Sequence, residues 1–232
     1  MAATILKKTQ VIMQKKLTWT DLLAFIVWLL PLGYLIYVYP SLADTIPLHF
    51  DGDGNPDKYG PKTKFAAMVL LVSSIGLAAA LITRFLPSID PKKKTRYSQT
   101  IFIRVSHAVL FLISALDFLL IYAGTQEHFT MPVHIFYPLM GLFLAYLGNL
   151  LNNVKPNYFV GIRTPWTLEN EEVWRKTHRL AGKLWLPGGI ILAILGWVIR
   201  GQAGHVIFPA GALILALIPV VYSYIYYREL SK

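Results

Sequence analysis

Six long apolar runs decide most of what this chain can become. They are Leu22–Tyr39, Phe65–Leu86, Ile101–Ala123, Val133–Leu151, Leu184–Ile199 and Val206–Tyr227. Each reaches or approaches the roughly 20 residues a helix needs to cross about 30 Å of hydrocarbon. Lipid offers no hydrogen bonds, so a spanning backbone must satisfy itself, and runs of this length do so as helices. The expected fold is all-α: a polytopic membrane protein with about six transmembrane helices plus one interfacial amphipathic helix, in a single membrane domain over residues 1–232. The fifth run is short and contains "LPGG" (Leu186–Gly189). It is expected to be broken, tilted or preceded by an interfacial helix. The first run follows Lys7, Lys8, Lys15 and Lys16. It is longer than the 7–15 residues of a signal-peptide core, so it reads as a retained helix.

Charge orients the chain. The net charge is +10, and cysteine is absent. Without cysteine there is no disulfide framework, thiolate metal site or thiol nucleophile. With the N-terminus inside, the inner segments hold the four N-terminal lysines, Lys92–Lys94, Arg96, Lys155, Arg163, Arg175, Lys176, Arg179, Lys183, Arg228 and Lys232. The outer loops hold Lys58, Lys62 and Lys64, with Arg200 at a helix end. That bias predicts both termini in the cytoplasm. Residues 40–64 then form an extracytoplasmic loop, and residues 152–183 a cytoplasmic one. The basic surplus suits anionic membrane lipid rather than direct contact with nucleic acid.

Polar residues inside apolar runs mark helix contacts or cavities. The third run carries Arg104, His107, Ser114 and Asp117. His107, Ser114 and Asp117 fall within about 80° on one helix face. Arg104 and Asp117 lie close enough to the helix ends to snorkel. In the fourth run Gly141, Ala145 and Gly148 predict close helix packing.

The outer loop contains "HFDGDGNPDKYG", with Asp51, Asp53, Asn55 and Asp57 at alternate positions. A calcium loop aligned on Asp51 needs glycine at its sixth position and a bidentate glutamate at its twelfth. Those positions are Pro56 and Lys62. The stretch therefore reads as a series of tight turns, its acidic residues offered to a cationic partner or to water. His49, His128, His134 and His205 share this side without the helical spacing of a zinc motif. Neither a metal nor a cofactor is expected.

The inner loop is the less ordinary stretch. Its first part, to Pro165, has no helical period. Thr167 or Asn170 can then cap a helix whose first turn holds Glu169, Glu171 and Glu172. Trp174, His178, Ala181 and Trp185 share one face. They predict an amphipathic helix, aromatic side toward the lipid boundary. Before it, Arg163, Thr164 and Trp166 form an exposed turn suited to recognition, with His178 as a nearby titratable group. There is no nucleophile–base–orienter trio and no phosphate-cradling loop, so no catalytic residues are expected.

"NYFVGIRTPWTLENEEVWRKTHRLAG" (Asn157–Gly182) closely resembles the signature of the SdpI-type immunity proteins. "IPLHFDGDGNPDKYGPK" (Ile46–Lys62) resembles a small domain of unknown function found N-terminally in the same multipass proteins. The resemblance implies a bacterial plasma-membrane protein that protects the cell from a secreted killing peptide. It also implies a receptor role, with optional capture of a small helix-turn-helix repressor at the membrane. By the same resemblance, Pro47, His49, Phe50, Asp51, Gly54, Pro56 and Asp57 face the toxin side. Asn157, Gly161, Arg163, Thr164, Pro165, Trp166, Thr167, Trp174, Thr177, His178 and Gly182 would carry signalling or protection. Two other readings compete. One is a proton-coupled transporter or membrane enzyme using His107 and Asp117, with prolines 31, 187, 209 and 219 inside spans. The other is a calcium or metal sensor built on the acidic turn.

Overall fold

A computed structural model describes residues 18–89, 99–126, 128–199 and 201–231. The N-terminal lysines, the basic stretch 90–98 and Arg200 lie outside the described residues. Six of the described helices are long and apolar enough to cross a membrane. In chain order the elements are α1 (Trp19–Val38), a 3-10 turn (Tyr39–Ser41), β1 (Thr45–Phe50), β2 (Pro56–Pro61), α2 (Lys62–Ile89), α3 (Gln99–Thr125), α4 (Val133–Leu151), α5 (Pro165–Glu169), α6 (Glu171–Val198) and α7 (Gln202–Leu230). The helical, multipass expectation holds.

The fifth span differs from its expectation. α6 is one unbroken helix through Leu186–Gly189, and the anticipated amphipathic helix is its first part. Pro187 and the two glycines after it stay helical because neighbouring helices hold them from both sides. A Cβ on Gly188 would lie 2.6 Å from Leu215 Cδ2, and one on Gly189 would lie 2.4 Å from the Ala145 nitrogen.

The helices form two halves. α1 and α2 pack on α3, and α4 and α7 pack on α6. In the second half the small residues foreseen in α4 do meet a partner. Gly141 and Gly148 lie against Gly189, Ala193 and the Trp185–Leu186 backbone of α6. The halves touch where Ile101 and Val105 of α3 pack with Leu151, Val154 and Trp174. The outward faces remain apolar: Ile36, Leu71, Ile82, Ile194, Leu213 and Val221 are all exposed, as lipid contact requires.

The loop between α1 and α2 is a β-hairpin, not only a run of turns. β1 and β2 pair antiparallel, from Thr45 opposite Pro61 to Phe50 opposite Pro56, with bulges around His49. Its inner face is anchored by Ile46, which is fully buried with Phe65, Val69 and Ile121. Burying one such side chain away from water contributes about 1.5–3 kcal/mol. Gly124 makes room for it, since a Cβ there would lie 2.8 Å from Ile46 Cδ1.

Candidate functional site

The signature segment folds as a cap over the start of α6. Asn157 organises its entry. The buried amide donates to the Lys155 and Val160 carbonyls and accepts from the Phe159 and Val160 amides. Gly161 follows at φ +118, a left-handed conformation that suits glycine. A Cβ there would stand 2.3 Å from His178 Nε2. The chain can therefore lie directly on the histidine, which accepts a hydrogen bond from the Ile162 amide at 3.0 Å.

His178 is 2% exposed and stacks on Trp174 at 4.0 Å between ring centroids. Its Nδ1 donates to the Trp174 carbonyl at 2.8 Å. One ring nitrogen accepts and the other donates, the pattern of a neutral imidazole. Trp174 Nε1 donates to the Val154 carbonyl at 2.8 Å, tying α6 to the end of α4. The aromatic face of α6 thus packs against protein. The expectation that it faces the lipid boundary is corrected here, because the loop that precedes the helix folds back and covers it.

The expected exposed trio of Arg163, Thr164 and Trp166 is divided. Thr164 caps α5, its hydroxyl accepting from the Thr167 amide. The buried Thr167 hydroxyl in turn reaches the Ile162 carbonyl at 2.9 Å. Trp166 is half-buried; its Nε1 donates to the buried Ser223 hydroxyl of α7 at 2.6 Å, and its ring meets Tyr224 edge-on. Within residues 163–166, only Arg163 and Pro165 are exposed. Arg163 braces the loop through the Tyr158 carbonyl at 2.8 Å. Asn170, not Thr167, caps α6, accepting from the Glu172 and Val173 amides. Thr177 is fully buried, and its hydroxyl has no hydrogen-bond partner among the described residues. Gly182 seats the Asn152 side chain, 2.7 Å from where a Cβ would be.

At the same end of the first half lies a cluster whose members are far apart in the sequence. Asp21 of α1 is gripped by both terminal nitrogens of Arg84 of α2 and by His107 Nε2 of α3 at 2.8 Å. The carboxylate also accepts from the amide and hydroxyl of Thr18, closing a capping box. Three helices thus share one carboxylate beside an apolar cavity of about 460 Å³ lined by Phe25, Leu77 and Leu110. The Thr18–Asp21 spacing is the sequence signal that was available.

His107 and Asp117 share a face of α3, but they bind different partners there, on α1 and α2. Asp117 is 1% exposed and does not snorkel; it accepts from the Ser73 hydroxyl of α2. Ser114 turns its hydroxyl back to the Leu110 carbonyl. Arg104 is exposed near its helix end, as expected.

At the opposite end the hairpin's acids serve the protein itself. Asp51 accepts from the Asn55 amide at 2.8 Å, Asp57 meets His49 Nδ1 at 2.6 Å, and Asp53 lies 3.4 Å from His205 Nδ1 at the start of α7. Gly54, at φ +84, accepts from the Met131 amide at 2.9 Å. A Cβ on Gly54 would stand 2.5 Å from the Met131 carbonyl oxygen. The hairpin tip therefore bridges from the first half to the second. Pro47 is buried under it, while Phe50 and Pro56 are half-buried.

Two family models match the chain. Residues 153–223 match the SdpI/YfhL protein family, and residues 26–73 match a domain of unknown function, DUF1648. The chain is also similar to the immunity protein SdpI of Bacillus subtilis (strain 168), with 26% identity over 198 residues that cover 84% of this chain and 90% of that protein. No solved structure is significantly similar to it. The first match spans the cap and its α7 anchor, the second spans most of α1, the hairpin and the start of α2, and the chain is thus similar to SdpI-type proteins over both of its distinctive segments.

Proposed function

We propose that this chain is a membrane immunity protein that protects a bacterial cell against a secreted membrane-active peptide. The observation that carries this reading is its similarity to an immunity protein over nearly the whole of both chains. The hairpin in one matched segment and the cap in the other lie at opposite ends of one bundle, which suits a protein that meets a ligand on one side and a partner on the other. In this reading the hairpin lies outside, the cap inside, and both termini are in the cytoplasm of a plasma-membrane protein. The exposed cap residues Arg163, Pro165, Arg175 and Arg179 are the surface for a cytoplasmic partner, such as a small helix-turn-helix repressor. The buried residues Asn157, Thr167, Trp174 and His178 hold that surface in shape.

Survival of a peptide-sensitive bacterium expressing the chain tests the reading. Protection is expected, and Arg163→Ala should reduce it without reducing the amount of inserted protein. Absence of protection against every cognate peptide tried would overturn it. The transport alternative gains little from the fold. The interruption it invoked in the fifth span is absent, and His107 and Asp117 bind different partners about 15 Å apart along α3.

A further inference from the structure

The hairpin and the start of α2 enclose an open groove of about 750 Å³ that the immunity reading does not use. Its floor is apolar: Leu48, Met68 and Leu71 line it. Gly60 lets the Leu48 side chain lie across the hairpin, because a Cβ there would be 2.5 Å from Leu48 Cδ1. The rim carries two lysines, Lys58 and Lys64, with His49 beside them. The nearby Lys62 pairs with Asp44 at 3.0 Å and lies over the Tyr39 ring. Lys58 and Lys64 have no such partner among the described residues. Asp57, next to Lys58 in the chain, is engaged by His49. The free charge on this face is therefore positive, the reverse of what the acidic sequence suggested.

We propose that this groove binds an anionic phospholipid, its phosphate held by Lys58 and Lys64 and an acyl chain lying along Met68 and Leu71. The dimensions fit. Leu71 is seven residues beyond Lys64 on α2, about 10 Å deeper along the axis. That is the separation between a headgroup at the interface and the upper acyl chain. The floor also runs without a break onto the lipid-facing side of the helix. Leu71 is 60% exposed and Ile75, one turn further, 59% exposed. An occupant entering sideways from the bilayer meets apolar surface first and lysines last, which is the order of parts in a phospholipid. A soluble acidic peptide would have to cover that lipid-facing floor from the water side.

Native mass spectrometry of the full chain, purified from nanodiscs of equal phosphatidylglycerol and phosphatidylcholine, tests this. Selective retention of phosphatidylglycerol is expected. Lys58→Gln and Lys64→Gln should each weaken it about fivefold, the effect of one lysine facing an anionic surface. The arginine variants at both positions should restore it. Leu71→Trp, which fills the floor without changing charge, should reduce retention of both lipids. Equal retention of the two lipids, or no change in the glutamine variants, would refute the site. Displacement by millimolar inorganic phosphate would show a soluble-anion site, and displacement by a glutamate-rich peptide a protein groove. Either outcome overturns the lipid assignment.

Discussion

The two halves of the bundle solve one problem by different chemistry. Between helices in lipid the hydrophobic effect offers little, because lipid tails are as apolar as leucine. The half built from α1, α2 and α3 uses polar bonds. Asp21, Arg84 and His107 join three helices at one level, and Ser73 with Asp117 joins two at another. The half built from α4, α6 and α7 uses absence of side chain. Gly141, Gly148 and Gly189 bring backbones to a separation that no Cβ tolerates. The first device is strong but brittle, since loss of one partner strands a buried charge. The second spreads over many dispersion contacts, each small.

The largest effect is therefore expected at the ionic device. Arg84→Met leaves Asp21 without its cation and should cost about 3–5 kcal/mol. Adding Asp21→Asn to the same chain should recover most of that loss. Reversible unfolding in mixed micelles reads both, and an unperturbed Arg84→Met protein would break the comparison. Next comes the glycine device. Gly189→Ala places a methyl 2.4 Å from the Ala145 nitrogen, which is backbone and cannot rotate away. A loss of about 1–3 kcal/mol is expected. Gly33→Ala, where nothing lies within 4 Å, is the control and should be close to silent.

Effects in the cap are more local, and range from comparable to smaller. Gly161→Ala meets both a left-handed backbone and the His178 ring. It should cost about 1–3 kcal/mol, visible as faster hydrogen exchange over residues 157–170 while the spans stay protected. Uniform loosening of the whole chain would show that the cap is not a separate unit. Trp166→Phe removes one hydrogen bond, worth about 1 kcal/mol. Ser223 keeps its own bond to the Val220 carbonyl at 2.6 Å, so no buried donor is orphaned.

Much of this was legible in the sequence. The span positions follow from length and hydropathy, and Val133–Leu151 matches to the residue. The packing role of Gly141, Ala145 and Gly148 follows from their spacing. The hairpin is not legible in the sequence, because Pro47, Pro56 and Pro61 within its strands argue against a ladder. A two-stranded hairpin with bulges tolerates them at its edges. The Asp21 cluster is not legible in the sequence because Arg84 and His107 lie 63 and 86 residues from Asp21. No periodicity links them. The aromatic face of α6 is legible as a face, but what covers it is set by the folded loop.

Composition and patterning by themselves determined a helical membrane protein with one structured loop at each end. A backbone in lipid has few other ways to satisfy its hydrogen bonds, so that outcome needs no knowledge of partners. Only the tertiary structure decided which polar groups remain available. The acids of "HFDGDGNPDKYG" pair with His49, Asn55 and His205, and Lys58 and Lys64 are left facing a groove. His178 is engaged on both nitrogens, and Arg163 is left exposed. A residue's type states what it can bind, but only proximity in the folded chain states what it has already bound.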